Sequence, residues 1–255
     1  MPPMITDPIF YLYAVPAVIL VGLAKGGFGG SITMIGVPLM ALAISPVAAA
    51  GIMLPILIVM DVVGLLAWRG TFDRTVLRLI LPASVLGVAL GYATATLIPP
   101  DGIRLLIGGL CLAFAAQWFL KSRHTVPSKK PGRISGMFWG TIAGFTSFTT
   151  HAGGPPFQVY VMPLKLAPAV FAGTTVIFFA VTNFLKLVPY FLLGQFSSEN
   201  LATSAVLLPL APLSTLAGVW LVKRTDRERF YLITYALLIP VGIQLVYAGL
   251  RGLLG

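Results

Sequence analysis

The chain has 255 residues, a mean hydropathy of +0.96, and only 9% charged against 58% hydrophobic residues. Soluble domains carry about 25% charged residues, so a soluble fold of this size is excluded. The apolar segments are long and do not alternate as barrel strands do, which leaves an all-α polytopic integral membrane protein. The net charge of +10 does not point to nucleic acid. The basic residues sit in short loops between apolar runs, which is the positive-inside pattern, and the expected partner is the lipid bilayer.

The first eight residues lack a basic n-region and a small-residue cleavage site, so the first apolar run is expected to be retained. That run, 10–23, is short, and so is the next, 32–44. Between them lies Gly22-Leu23-Ala24-Lys25-Gly26-Gly27-Phe28-Gly29-Gly30-Ser31, five of whose ten residues are glycine. Loose backbone and a lone ammonium are both costly inside a membrane. A run of about 13 residues reaches only about 20 Å as helix, against about 30 Å of hydrocarbon. The pair reads as a broken hairpin turning back near mid-membrane, or as two short tilted crossings.

Runs 48–68, 76–97 and 103–120 follow, each long enough or nearly so to cross a bilayer. Cys111 lies in the last of them and is the chain's only cysteine, so neither an intrachain disulfide nor a cysteine metal cluster is expected. Segment 121–133 is a Pro/Ser/Lys linker. A second pair of short runs, 134–145 and 157–167, flanks Thr146-Ser147-Phe148-Thr149-Thr150-His151-Ala152-Gly153-Gly154-Pro155-Pro156. Three further long runs, 170–194, 201–222 and 230–250, complete the chain.

Two halves emerge, 1–120 and 134–255. At an offset of 122, Pro46 matches Pro168, Ala50 matches Ala172, Gly51 matches Gly173, and Asp61 meets its isostere Asn183. Trp68 meets Tyr190, and, slightly shifted, Gly70-Thr71-Phe72 echoes Gly194-Gln195-Phe196. Basic residues place loops 69–78, 121–133 and 223–229, with Lys165, on the cytoplasmic side of the cell inner membrane and both termini outside. The halves then run in opposite directions. Two inverted repeats are expected, each a Gly-rich re-entrant hairpin plus three long transmembrane helices, as in many secondary transporters.

The glycine clusters are the first candidates for chemistry. Ser31 is a plausible N-cap, and Pro155 and Pro156 suit a first helical turn. Each hairpin then points a helix N-terminus toward the membrane centre, where free N–H groups suit an anion. The two turns are expected to meet there. The plainer reading is that Gly26, Gly27, Gly29, Gly30, Gly153 and Gly154 only permit close helix packing. Lys25 is read either as an anion contact or as a structural partner of Asp61, the one carboxylate clearly inside a span. Asp61 is also the candidate for a coupled proton. Ser147, Thr149, Thr150 and His151 offer hydrogen bonds to anion oxygens, and His151 also titrates near neutral pH. Gln158 and Asn183 are further polar candidates. Lys186 is expected to snorkel toward the outer surface.

A Gly-rich first segment followed by Pro38 and Ala50-Gly51, with a second copy in Gly153-Gly154-Pro155, Ala172-Gly173 and Asn183, resembles the TauE/SafE sulfite-exporter family. The resemblance covers nearly the whole chain. It implies transport of small anions such as sulfite, sulfoacetate or other organosulfonates. Lys25 and His151 depart from the commoner pattern, so the substrate is not simply inherited. No H-E-x-x-H, G-x-S-x-G, Walker-A or GxGxxG match stands in a suitable context. The expected protein is therefore a secondary transporter and not an enzyme, with no cofactor and no metal, moving its anion by alternating access. A carboxylate or other non-sulfur anion is the alternative cargo. A membrane enzyme or assembly subunit is the reading from another class.

Overall fold

In a computed structural model, residues 4–29, 32–94, 100–120 and 130–254 are described. Every regular element among them is helical. Helix α1 spans Pro8–Leu23; Asp7 caps it, accepting from Ile9 N–H. A π-helical turn, Ala24–Phe28, prolongs it, so the leading arm of the first hairpin is 21 residues, Pro8–Phe28, long enough to cross a membrane. The expected run 10–23 was too short because Lys25 and the glycines masked this extension. Helicity fails at Gly27 (φ 142°) and Gly29 (φ 93°), conformations that glycine alone adopts cheaply. The chain returns through a 3-10 turn at Ile32–Ile35 and the short α2 at Gly36–Met40.

Helices α3 (Pro46–Ala67), α4 (Arg74–Ala93) and α5 (Pro100–Leu120) complete the first half. Ser45 and Asp73 cap α3 and α4, as short polar side chains do at helix starts. The second half opens with α6 (Arg133–Thr150) and α7 (Gly154–Val161), whose Pro155 and Pro156 sit in the first turn as expected. Helix α8 is Pro168–Leu192. The run 201–222 is not one straight helix: α9 (Ser198–Leu207) and α10 (Leu210–Arg224) meet at Pro209 with a 47° bend. Proline removes a backbone donor and clashes with the preceding turn. Helix α11, Arg227–Leu254, ends the described chain. Among the described residues, five helices, or six spans with the bent pair, are long and apolar enough to cross a membrane.

Packing crosses between the halves. Helix α1 lies along α10, α6 along α4, α3 against α8, and α5 along α11. The seams are closed by small residues, which let backbones approach where lipid offers no hydrophobic drive. A Cβ on Gly218 would stand 2.2 Å from Leu23 O, and one on Gly144 would stand 2.2 Å from Ser84 O. The α3–α8 contact is antiparallel and reciprocal. At one end a Cβ on Gly173 would fall 1.8 Å from Thr71 O; at the other, one on Gly51 would fall 2.4 Å from Gln195 O.

The basic loops gather at the Trp68 end of this pair. Lys223 lies over the Trp68 ring at 5.5 Å, and Arg227 donates to Lys165 O. Near the other end, Ile5 N–H donates to Thr203 Oγ1 at 3.2 Å. Linker residues 121–129 lie outside the described residues.

Candidate functional site

The two hairpin turns do not abut at the centre. The first packs against Trp68, Ala172 and Val222, and Trp68 Nε1 donates to Gly26 O at 2.9 Å. The second lies beside Tyr190, whose hydroxyl pairs with His151 Nε2 at 2.6 Å. Trp68 and Tyr190 stand at opposite ends of the α3–α8 pair, so the hairpins run past each other. They touch sideways, through Gln158 Nε2, which donates to Phe28 O at 3.2 Å. The leading arm, longer than its apolar run, carries the first turn beyond the middle.

What meets at the middle is side chains. Asp61 on α3 and Asn183 on α8 are in direct contact, Asn183 Nδ2 donating to Asp61 Oδ2 at 2.7 Å. The other carboxylate oxygen accepts from Lys25 Nζ at 2.5 Å. Lys25 is 6% exposed and Asp61 3%. The Lys25 ammonium also lies over the Phe179 ring, 5.4 Å from its centroid. Lys186, three residues after Asn183 on α8, is 1% exposed and fully enclosed. It does not snorkel. Its Nζ donates to Ser147 O and Ser147 Oγ, both at 3.2 Å. Among the described residues it has no carboxylate partner within ion-pair distance.

These groups surround one narrow cavity, lined by Lys25, Thr33, Leu57, Ser147, His151, Phe179, Asn183 and Lys186. The space open to the centre of a water-sized sphere is about 10 Å³, room for about one water. Two lysine side chains and one carboxylate therefore share a buried polar centre, which carries one positive charge in excess when both lysines are protonated. An uncompensated charge at membrane depth costs about 2.5–3.5 kcal/mol on insertion scales.

The expected site residues divide. Lys25, Asn183 and His151 line the cavity, and Asp61 is bonded to two residues of its wall. His151 is held in a left-handed conformation (φ 53°) at the end of α6, which turns its ring toward α8. Gly26, Gly27, Gly29, Gly153 and Gly154 are buried but do not line it. For Gly26 and Gly153 close packing is the visible role: a Cβ would stand 2.5 Å from Gly218 backbone and 2.7 Å from Ala143 O respectively. Thr149 donates back to Phe145 O in its own helix at 3.1 Å and stays out of the cavity. Gln158 ties the hairpins together instead of facing the cavity. Gly30, Ser31 and the Thr150 side chain lie outside the described residues.

Sequence reasoning missed Thr33, Leu57 and Phe179 as wall residues and turned Lys186 the wrong way, whereas Ser147, one of the expected hydroxyls, does line the cavity. The signal for Lys186 was its spacing. Positions three and seven after Asn183, Lys186 and Tyr190, share its helix face, and all three are buried.

A family model for the sulfite exporter TauE/SafE matches residues 14–245. No curated protein and no solved structure matches the chain.

Proposed function

This chain belongs to the TauE/SafE sulfite exporter family, whose members are membrane anion transporters and not enzymes, and from that premise we propose that it moves sulfite or an organosulfonate by alternating access around the Lys25–Asp61–Lys186 cavity. The observation that carries the reading is that two lysines and a single carboxylate are enclosed together where the two hairpins pass each other beside the α3–α8 pair. The protein is a multi-pass membrane protein and its cargo a small anion. In this reading Lys186 and Lys25 supply the charge, while Ser147, Thr33, His151 and Asn183 offer hydrogen-bonding groups toward sulfonate or sulfite oxygens. The cavity as it stands admits about one water, so binding requires the walls to part. Motion of one hairpin with its partner helix against the α3–α8 pair would open it to one side and then the other.

Two inverted repeats, 1–120 and 134–255, fit this mechanism. Reciprocal contacts support them: mates Gly51 and Gly173 each approach the loop carbonyl of the opposite half, and mates Asp61 and Asn183 touch. The gathering of Lys165, Lys223 and Arg227 with Trp68 at one end supports placing that end in the cytoplasm of the inner membrane.

The test is flux in proteoliposomes. Purified wild-type protein should release trapped sulfite, sulfoacetate or methanesulfonate, and Lys186→Met should abolish release while remaining monodisperse. Absence of flux of every sulfur anion under any imposed proton gradient would overturn the assignment.

A further inference from the structure

We propose that the cavity sorts anions by charge: a monoanion is held opposite Lys186 while Asp61 stays paired with Lys25, and a dianion is held only when Asp61 takes up one proton and frees Lys25 as a second cation. The inference rests on the anion-transport reading and adds to it which charge state is carried and where the coupled proton sits.

Counting charges at the site leads there. With both lysines protonated, Lys25 and Lys186 bring two positive charges and Asp61 one negative, all within residues at most 6% exposed. A monoanion brings this centre to neutrality. A dianion would leave one negative charge uncompensated in a medium that penalises it heavily. A proton on Asp61 restores the balance, because the carboxylate becomes a neutral acid and the sum with a dianion is again zero.

The geometry assigns the proton to one atom. Asp61 Oδ2 already accepts from Asn183 Nδ2 at 2.7 Å, so it stays an acceptor. Oδ1 faces the Lys25 ammonium at 2.5 Å. The solvent proton adds to Oδ1, one O–H bond forms, and the ammonium loses its counter-ion without losing its own proton. Lys25 has somewhere to go, since it lines the cavity and the Phe179 ring lies 5.4 Å from its Nζ. An aromatic face holds an ammonium whose carboxylate has been neutralised. Lys186 undergoes no such exchange: Ser147 O and Oγ hold it through neutral acceptors in either state.

Other groups face the pair from the elements packed around it. His151, from the turn between α6 and α7, is bonded to Tyr190 of α8 at 2.6 Å. Ser147 of α6, Asn183 of α8 and Thr33 of the first hairpin's return arm carry no charge. Among the described residues no carboxylate lines the cavity itself; Asp61 stands behind two of its wall residues, Lys25 and Asn183.

Two probes share a sulfonate head and differ in charge: methanesulfonate, a monoanion, and sulfoacetate, a dianion at neutral pH. Calorimetric titration of the purified protein in two buffers of different ionisation enthalpy counts protons taken up per anion. The expected result is none for methanesulfonate and one for sulfoacetate. Asp61→Asn mimics the protonated acid. It should raise affinity for sulfoacetate relative to methanesulfonate about tenfold or more and abolish the proton uptake. Lys25→Met combined with Asp61→Asn returns the count to a single cation and should restore the wild-type preference. His151→Gln should keep the proton uptake; its loss there would move the proton to His151 and overturn the proposal. Sulfoacetate binding to wild type without proton uptake, or an unchanged ratio in folded Asp61→Asn, also overturns it. The wild-type proton count needs no variant, so a misfolded substitution leaves the test intact. Flux of either anion without this proton link sinks only the charge-sorting inference, whereas no flux at all sinks the transport reading beneath it.

Discussion

Removing the Lys25 charge alone should cost far more than removing the whole Lys25–Asp61 pair. Lys25→Met keeps the stem's bulk but strands Asp61, 3% exposed, with only the Asn183 amide as partner. Breaking one side of a buried ion pair costs about 3–5 kcal/mol, because a charge is left buried and unpaired. Asp61→Asn strands Lys25 in the same way and leaves both lysines on one cavity wall without the carboxylate behind them. The double variant leaves no stranded partner. The amide carbonyl introduced at position 61 still accepts from Asn183, and the thioether introduced at position 25 packs beside Phe179. Replacing a buried pair by neutral groups is often neutral or stabilising by about 1–4 kcal/mol. The double-mutant cycle should therefore give a coupling of about 3 kcal/mol or more. Equilibrium unfolding in mixed micelles, followed by tryptophan fluorescence, measures it. Trp68 is a suitable reporter because its indole holds Gly26 O of the first hairpin turn. Additive single effects, with coupling below about 0.5 kcal/mol, would refute the view that the pair is desolvated and mutually dependent.

Two other substitutions test the scaffold. Gly173→Ala places a Cβ 1.8 Å from Thr71 O, a backbone atom that cannot swing away, and should destabilise by about 3 kcal/mol or prevent folding. Gly109→Ala, with nothing within 4 Å, should melt with the wild type; a Gly173→Ala protein that melts with it too would contradict the reciprocal α3–α8 contact. Gln158→Leu removes the donor to Phe28 O and should cost about 1–2 kcal/mol. Hydrogen exchange should quicken at 26–29 and not along α5 or α11, and unchanged exchange at the turn would show that the hairpins are held together by something else.

The broad architecture could be read from the sequence because it follows from solvent. A chain with 9% charged residues cannot coat a soluble fold, and long apolar runs must satisfy their backbone as helices. The paired glycine-rich stretches marked the two places where helices break. The position of the turns was not legible, because Lys25 interrupts the apolar run yet continues the helix to Phe28. Its charge is neutralised by Asp61, 36 residues away, and no local pattern shows that. Lys186 was misread for the matching reason. A lysine near the end of a long span usually reaches for water, but α8 turns this one inward on the face of Asn183, toward a carbonyl and a hydroxyl on α6. Glycines were over-read as ligand-binding backbone. In a bilayer, where lipid tails are as apolar as leucine, the first use of a glycine is to let helices touch, and Gly26 against Gly218 shows it doing so.

The charged positions break the offset that the packing positions keep. Gly51 and Gly173 make the same contact in each half, and Asp61 and Asn183 occupy equivalent places with the same shape. The position 122 residues after Lys25 is Ser147, and the one 122 before Lys186 is Gly64. Both lysines therefore reach the cavity without a charged counterpart in the other half. In the proposed alternating-access mechanism, a scaffold whose contacts repeat would give two access routes of nearly equal energy, since the same packing can be broken at either end. An excess charge that repeated as well would double at the centre to two unpaired ammonium groups, which burial would not tolerate without a bound anion. One excess charge can be held by Ser147 while the cavity is narrow and surrendered to an anion when it widens. The same asymmetry leaves Asp61 as the acid at the crossing among the described residues, which is why the proposed proton is assigned to it.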